Sequence, residues 1–325
     1  MNNTGKIFLA FIFSMIVFFI FGEIIIRVYL NYKTVYDIEM TKYAMSVKKD
    51  SDNPLIGHIH RPNVTKHLMN STVKINSDGL RDREYPIAKG DSYRIAVLGD
   101  SLTFGWGVEH EDSFENILET EINKRYPVEL INFGAGNYNT EQEVNLFLEK
   151  GLKYKPDKVI AFYFINDAEV TPKKSKLWFL GYSRFISFYW SRIHALLNRQ
   201  VESKSFKSFY SELYADDHEG WIRTKKAFLD LKEICRKEKI ELQVVLLPEL
   251  HDVDNTIFND IYDKVSGFLS DNGISNLNLA GTFSSYKNPI DLWVSYDDAH
   301  PNKLAHKIIA EKTLDFVLLK GDVSR

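Results

Sequence analysis

Cysteine is nearly absent from this sequence, and Cys235 is the single thiol in 325 residues. One thiol cannot form an intramolecular disulfide, and a zinc cluster built from thiolates is excluded as well. A charge excess of either sign is also missing, because the formal net charge is only −3. Composition therefore gives no electrostatic basis for nucleic-acid binding, and we expect no nucleic-acid partner.

Nucleotide-binding signatures and internal repeats are missing too. The sequence has no Walker loop, and Gly99, Gly105 and Gly107 do not follow the glycine spacing of dinucleotide-binding turns. Hydrophobic residues make up 44% of the chain and charged residues 26%, which is the balance of a globular protein. The length predicts one large domain with smaller appendages.

A long apolar run is present at the amino terminus. Ile7–Gly22 contains no charged residue, and a helix over Ile7–Leu30 would be about 36 Å long, enough to cross a bilayer core of roughly 30 Å. Glu23 and Arg27 are four residues apart and can pair on one helix face. A cleaved signal peptide and a buried soluble helix are the alternatives, but no small-residue cleavage site follows the run. We predict a single transmembrane anchor over residues 1–30.

The charges that flank this anchor are compatible with either orientation of the main domain across the membrane. More Lys and Arg residues follow the apolar run than precede it, so the positive-inside rule places the main domain in the cytoplasm. Signal anchors of exported enzymes carry similar flanks. We expect a single-pass membrane protein whose main domain is extracytoplasmic.

Residues 31–93 are predicted to form a stalk and a small β segment. Short alternation in 56–63 and in 72–79 indicates a hairpin or ribbon before the main domain. His58 and His60 would share one strand face, either as metal ligands or as exposed strand histidines. Because no third ligand lies nearby in sequence, the second interpretation is favoured.

The main domain, residues 94–319, alternates apolar strands with amphipathic helices, which is typical of a parallel sheet covered by helices. The third strand is almost entirely apolar, so it is expected to be central and covered on both faces. The five predicted strands are Ile95–Leu98, Val128–Phe133, Lys158–Ile165, Leu242–Leu247 and Ser275–Leu279.

An insertion over 171–219 follows the third strand. It is rich in aromatic residues, with runs at 177–182 and 185–190. A helical insertion packed on the core is the favoured interpretation, and a lid or a membrane-leaning surface is the alternative.

Three loops follow the ends of predicted strands, and a fourth loop, which opens the final helix, carries Asp297 and His300. Because the carboxyl ends of parallel strands meet at one sheet edge, we expect the polar side chains of these loops to converge there. A serine, a carboxylate-oriented histidine and amide donors are the groups that acyl transfer requires. Asp297 and His300 are three apart in one turn and can both face the serine, with Asp298 as the alternative acid. The residues are Ser101, Gly136, Asn137, Asn166, Asp297 and His300.

Four blocks of this sequence, in order, resemble those of the SGNH (GDSL) hydrolase superfamily over about residues 94–318. The resemblance implies a three-layer α/β/α flavodoxin-like fold with a central parallel five-stranded sheet, and an ester-cleaving serine enzyme without a metal or other cofactor. It also resembles membrane-anchored members that are linked with cell-envelope polysaccharides. The blocks are Gly99-Asp100-Ser101-Leu102, the Asn132–Thr140 loop, Asn166-Asp167 and Asp297-x-x-His300-Pro301-Asn302.

The resemblance implies a role for each residue of the predicted site. Ser101 is the nucleophile, His300 the base and Asp297 the acid of the triad. The Ser101 amide, the Asn166 side chain and an amide of the second block form the oxyanion hole. In that block Gly136 and Asn137 compete, and Asn137 ranks first because asparagine tolerates a positive φ.

Three functions fit these residues. The first is an anchored esterase that deacylates a small molecule, a glycan or a lipid, with an acetyl group on a glycan preferred. The second is an O-acyltransferase that uses the same acyl-serine and a sugar hydroxyl as acceptor. The third is a non-catalytic envelope scaffold on a hydrolase fold.

Several nearby residues are given supporting roles. Arg81 either braces the site or pairs with Asp82, and the pair is favoured. Asp167 and Glu169 are expected to support their loop. His306 is expected on the surface of the last helix.

Overall fold

The computed structural model describes residues 3–171, 181–198, 206–253 and 257–318. The chain forms two compact units, a helical unit of Met1–Ser46 and Lys173–Ser203 and a sheet unit of Val47–Pro172 and Lys204–Arg325. The predicted segment 31–93 is therefore divided between them, with 31–46 in the helical unit and 47–93 in the sheet unit.

Ten α-helices and eleven strands occur within the described residues. The helices are α1 (Asn3–Leu30), α2 (Tyr36–Ser46), α3 (Ser101–Phe104), α4 (Phe114–Asn123), α5 (Thr140–Leu146), α6 (Arg184–Asn198), α7 (Phe206–Leu213), α8 (Glu219–Glu238), α9 (Asn259–Asp271) and α10 (Lys303–Val317). The strands are β1 (Lys48–Asp50), β2 (His58–His60), β3 (Thr65–Leu68), β4 (Ser71–Lys74), β5 (Tyr93–Gly99), β6 (Val128–Asn132), β7 (Lys158–Tyr163), β8 (Glu241–Leu246), β9 (Ser275–Asn278), β10 (Trp293–Ser295) and β11 (Asp298–Pro301).

The sheet unit is built on a five-stranded parallel sheet with the order β6-β5-β7-β8-β9. All six residues of β7 are buried, and β7 is the middle strand. The predicted parallel sheet and the central position of its third strand are thus confirmed. Strand order reverses direction at β5, so the carboxyl ends of β5, β6 and β7 flank a topological switch point where α/β folds bind ligands.

Side chains of β5 alternate between two apolar cores, as the period of a strand requires. Ile95 and Val97 face a core that includes residues of α4 and α10. Ala96 and Leu98 face the other core, which includes residues of α5, α8 and α9. The three-layer α/β/α arrangement follows from this two-sided burial.

Two short ribbons precede the sheet. β1 pairs antiparallel with β2, and β3 pairs antiparallel with β4. The sequence predicted a single ribbon formed by 56–63 and 72–79. In the structure β2, within the first of these segments, pairs with β1, and β4, at the start of the second, pairs with β3. Lys48 lies opposite His60 in the first ribbon.

The helical unit contains α1, which is long and apolar enough to cross a membrane, with a mean hydropathy of 2.7 over its best 18-residue window. A signal sequence passes the same test. Helix α6 contacts α1 and α2, so residues 181–198 of the predicted insertion belong to the helical unit. Helix α7, in the same insertion, belongs to the sheet unit, where Tyr210 and Leu213 join the apolar core. Residues 172–180 and 199–205 of that insertion lie outside the described residues.

Candidate active site

Ser101 begins helix α3 directly after β5. The turn is tight, because a Cβ added to Gly99 would lie 2.1 Å from Thr103 Oγ1. Asp100 caps the helix by accepting a hydrogen bond from the Leu102 N–H at 2.9 Å. Ser101 is thereby fixed at the carboxyl edge of the sheet with only 7% of its surface exposed.

His300 completes a three-residue chain with Ser101. Its Nε2 lies 2.8 Å from Ser101 Oγ, and its Nδ1 lies 2.5 Å from Asp298 Oδ1. Trp106 Nε1 donates to the other oxygen of Asp298 at 2.8 Å. Burial raises the pKa of the Asp298 carboxyl, but hydrogen bonds from His300 and Trp106 outweigh it and leave that pKa below its ordinary value. Asp298 therefore stays ionised and orients the imidazole.

The position of Asp298 corrects the expectation that Asp297 faces His300 as the triad acid. The sequence interpretation assumed a helical turn, in which residues three apart share a face. The segment Asp298–Pro301 is instead strand β11, where residues two apart share a face. Asp298 thus lies beside His300, while Asp297 is exposed and accepts a hydrogen bond from Ser295 Oγ at 2.6 Å.

Gly136 and Asn137 follow β6 at the same sheet edge. Asn137 has φ 65°, the left-handed conformation that asparagine tolerates. The Gly136 carbonyl is held by Lys48 Nζ at 2.8 Å and lies 3.1 Å from His58 Nε2. Within the described part of the chain, neither the Asn137 N–H nor the Ser101 N–H donates a hydrogen bond. Both amides are available to a developing oxyanion.

Asn166 lies in a 3₁₀ turn, Ile165–Ala168, after β7. Its side chain hydrogen-bonds to the Asp100 carboxyl, which ties the third predicted block to the first. The Asn166 Oδ1 atom is buried and makes no hydrogen bond to a described residue. The amide is therefore oriented by Asp100, beside the nucleophile.

Three carboxyl groups, those of Asp100, Glu143 and Asp167, are buried and lie close enough to interact electrostatically. Burial raises the pKa of Asp100, and it raises those of Glu143 and Asp167 well above the ordinary range, with mutual repulsion adding to the shift. Burial and repulsion within the cluster therefore disfavour negative charge on these carboxyls. Asp167 also accepts the Phe164 N–H at 2.8 Å, which fits its predicted role in supporting the loop.

Arg81 braces the loop that follows Ser101. Its guanidinium donates to the carbonyls of Phe104 at 2.8 Å and Val108 at 2.6 Å, and also to that of Gly105. The bracing role, ranked second from the sequence, is the one seen, because the guanidinium is buried among carbonyls that need donors. Asp82 meanwhile accepts the Asn132 N–H at 2.9 Å.

Two histidine expectations were wrong. His306 is fully buried on α10 and accepts the Phe114 N–H at 3.1 Å, so it caps α4 rather than lying on the surface. His60 is buried as well, with Nδ1 3.1 Å from the Gly79 carbonyl. Burial lowers the pKa of His58, His60 and His306 to about 3 each, so these side chains are neutral near pH 7.

Trp106, Lys48 and His58 contact the site, and sequence reasoning did not assign them to it. Trp106 reaches Asp298 across 192 residues of sequence, and Lys48 reaches Asn137 across 89. Among these three residues, only His58 lies in a segment with a sequence pattern. Its alternation predicted a β ribbon and not a contact with the site. Long-range contacts of this kind leave no spacing pattern in a single sequence.

Comparison with known proteins places this geometry in a family. A family model described as the GDSL-like Lipase/Acylhydrolase family matches residues 97–308, which span β5 to α10. That match covers more than half of the chain and includes the serine, the histidine and both aspartates. The chain belongs to this family, and it is a hydrolase of ester bonds.

Solved structures with a similar fold are distant in sequence. A lipolytic protein of the G-D-S-L family from Desulfitobacterium hafniense is 18% identical, covering 69% of this chain and 98% of its own, with a TM-score of 0.44. A catalytic mutant of an acetylxylan esterase from Geobacillus stearothermophilus is 14% identical, covering 70% and 94%, with a TM-score of 0.45. No curated protein matches the chain.

Proposed function

We propose that this chain is a serine esterase in which Ser101 is the nucleophile, His300 the general base and Asp298 the orienting carboxylate. The observation that carries the proposal is the 2.8 Å contact of His300 Nε2 with Ser101 Oγ while Asp298 occupies Nδ1. A carboxylate at Nδ1 keeps a proton on that nitrogen, so Nε2 is left free to accept one.

The reaction proceeds in two half-reactions. Ser101 Oγ attacks the ester carbonyl and its proton passes to His300 Nε2, while the amides of Ser101 and Asn137 and the Asn166 side chain stabilise the oxyanion. The C–O bond to the alcohol breaks as His300 returns the proton to the leaving oxygen. Water then repeats the sequence on the acyl-serine and releases the carboxylic acid.

The proposed substrate is an acetyl ester on a glycan or another envelope-associated molecule. Ser101 is almost buried, and a small acyl group needs the least room beside it. The glycan assignment comes from the resemblance to anchored members of the superfamily. The same chemistry would also cleave an acylated small molecule or lipid.

The helical unit is proposed to anchor the protein in a membrane, with the sheet unit on the extracytoplasmic side. A helix of 28 residues is about 42 Å long, and most of its apolar side chains are exposed. Glu23 within this run accepts the Arg184 and Phe185 N–H groups at 3.1 and 2.9 Å, so it caps α6. The exposed ring of Trp190 on α6 suits a membrane interface.

Replacement of the nucleophile tests the proposal directly. Ser101→Ala is expected to lower kcat for p-nitrophenyl acetate by about 10⁴-fold or more, because no other group can form the acyl intermediate. The matched control is Ser92→Ala, at the edge of the sheet where β5 begins, which should retain activity. Activity near the wild-type level in the Ser101 variant would refute the serine mechanism.

Product analysis separates hydrolysis from transfer, since both share the acyl-serine. Incubation with an acyl donor and a glycan acceptor should yield free acid, whereas acylated acceptor would identify a transferase. A scaffold protein on the same fold would leave Ser101 unlabelled by a fluorophosphonate probe. A reporter fused to the carboxyl terminus would establish which side of the membrane carries the sheet unit.

A further inference from the structure

The peptide group that joins Gly136 to Asn137 is held from outside the segment that the family shares. Lys48 Nζ donates to the Gly136 carbonyl at 2.8 Å and also to Asn137 Oδ1 at 2.8 Å. His58 Nε2 lies 3.1 Å from the same carbonyl. Both residues belong to the β1–β2 ribbon, which precedes the matched residues 97–308.

The β1–β2 ribbon also contacts the Gly136–Asn137 loop through Tyr138. Tyr138 Oη donates to the His58 carbonyl, and the rings of His58 and Tyr138 meet edge to face with centroids 4.9 Å apart. His58 has a pKa lowered to about 3, chiefly by burial, so the ring is neutral. A carbonyl oxygen can only accept, and His58 must therefore carry its proton on Nε2 and donate it to Gly136.

The orientation of the Asn137 N–H follows from the planarity of the peptide. In a trans peptide the C=O and N–H bonds point in opposite directions, and the described residues contain no cis peptide. Because Lys48 and His58 fix the Gly136 oxygen on the ribbon side, the Asn137 N–H points away from the ribbon. That N–H has no acceptor among the described residues.

We propose that Lys48, assisted by His58, is a positioning residue that orients and polarises the Gly136–Asn137 peptide so that the Asn137 N–H is a preorganised oxyanion donor. An N–H donor on the carbonyl draws electron density through the amide and strengthens the Asn137 N–H as a donor, most strongly when the amine is protonated. The contact with Asn137 Oδ1 also holds that residue at its positive φ. This inference rests on the proposed function.

Burial lowers the pKa of Lys48 to about 7, so the amine is kept at this position against its preference for water. An apolar side chain could fill the same space without the free-energy cost of removing an amine from water. The hydrogen bonds to Gly136 and Asn137 compensate for part of that cost and fix the amine against the loop.

The test is Lys48→Met, which keeps the length of the side chain and removes its donors. We expect kcat for p-nitrophenyl acetate to fall about 10- to 100-fold, less than the 10²–10³ typical of deleting an oxyanion donor outright. KM should stay within about threefold, because the contact matters only when charge develops on the oxygen. Inhibition by a boronic acid, which mimics the tetrahedral oxyanion, should weaken in parallel with kcat/KM.

Lys49→Met is the matched control, since Lys49 is the next residue of the same strand and is exposed. It should leave kcat, KM and boronate inhibition unchanged. Lys48→Gln, which retains a neutral donor, should restore part of the loss. If Lys48→Met does not fold, His58→Phe serves instead, with an expected three- to tenfold fall in kcat at constant KM.

An unchanged kcat in a folded Lys48→Met or His58→Phe variant would overturn the inference. So would a loss confined to KM or to thermal stability. The proposed function stands or falls separately, because it depends on the inactivity of Ser101→Ala. An inactive Ser101 variant together with a fully active Lys48 variant would refute the positioning role alone.

Discussion

The turn that carries Ser101 and the loops that surround it are held in place by different means. Gly99 and Asp100 fix the serine from within four residues of chain, through a close backbone approach and a helix cap. The Asn137 loop is held by Lys48, and the His300 strand by Trp106, both from distant parts of the sequence. The Ser101 turn is thus a local structure, whereas the loops around it depend on tertiary contacts.

This difference has a consequence for mutational sensitivity. A local turn tolerates distant substitutions as long as the strand and helix form, so Ser101 should keep its geometry in most variants. The partner loops lose their orientation when a single remote donor is removed. Reactivity should therefore be more sensitive than stability to changes at the remote positions.

Asp298→Asn gives the largest expected effect among the partners. An amide at this position supports the wrong imidazole tautomer, and we expect kcat to fall by about 10³- to 10⁴-fold. The measurement is kcat for p-nitrophenyl acetate, with the Ser101 turn checked by crystallography. Asp297→Asn, one residue away and exposed, should change kcat by no more than about twofold. The reverse ranking would restore Asp297 as the triad acid.

Trp106→Phe should have an intermediate effect. It removes the N–H that Asp298 accepts at 2.8 Å and keeps an aromatic ring, so loss of one hydrogen bond to a charged group lowers kcat by about tenfold. Trp293→Phe is the control, because that indole donates to the Leu250 carbonyl instead. Equal losses in the two variants would show that packing, rather than the bond to Asp298, is responsible.

Glu115→Gln should have the smallest effect on kcat and a clear effect on stability. Glu115 accepts from Asn132 Nδ2 at 2.6 Å, and the same Nδ2 donates to the Thr103 carbonyl at 2.9 Å, so this tie links the nucleophile turn to the second loop. Burial raises the pKa of Glu115 to about 7. Glutamine can still accept the Asn132 hydrogen bond without carrying a charge.

The sign of the pH effect follows from this raised pKa. Between about pH 4.5 and 7 the folded protein holds the Glu115 proton and the unfolded chain does not. The free energy of unfolding of the wild type is therefore highest below about pH 4.5, as far as Glu115 contributes, and it falls as the pH rises to 7. The free energy of unfolding of Glu115→Gln relative to wild type should therefore rise by about 2–3 kcal/mol from pH 5 to pH 8. Urea unfolding at several pH values measures it. Glu121→Gln, on the same helix with its side chain 41% exposed, should show no such trend.

The sequence alone determined the sheet, the order of its elements and the place of Ser101 at a strand end. Apolar runs and short helix signals are local properties, and they predicted β7 as the central strand and Ser101 at the end of β5. The four blocks predicted His300, Asn137 and Asn166 as further site residues. Convergence of strand ends at one edge of a parallel sheet led to the same expectation.

Only the tertiary structure decided which aspartate faces His300. Residues 298–301 form a strand because they pair with β10, and pairing depends on a neighbour rather than on the segment itself. The contacts of Lys48, His58 and Trp106 were likewise decided by folding, which brings together residues separated by 78 to 192 positions. Spacing along the sequence indicates which side chains share one face of a helix or strand. It does not indicate which distant residues that face will contact.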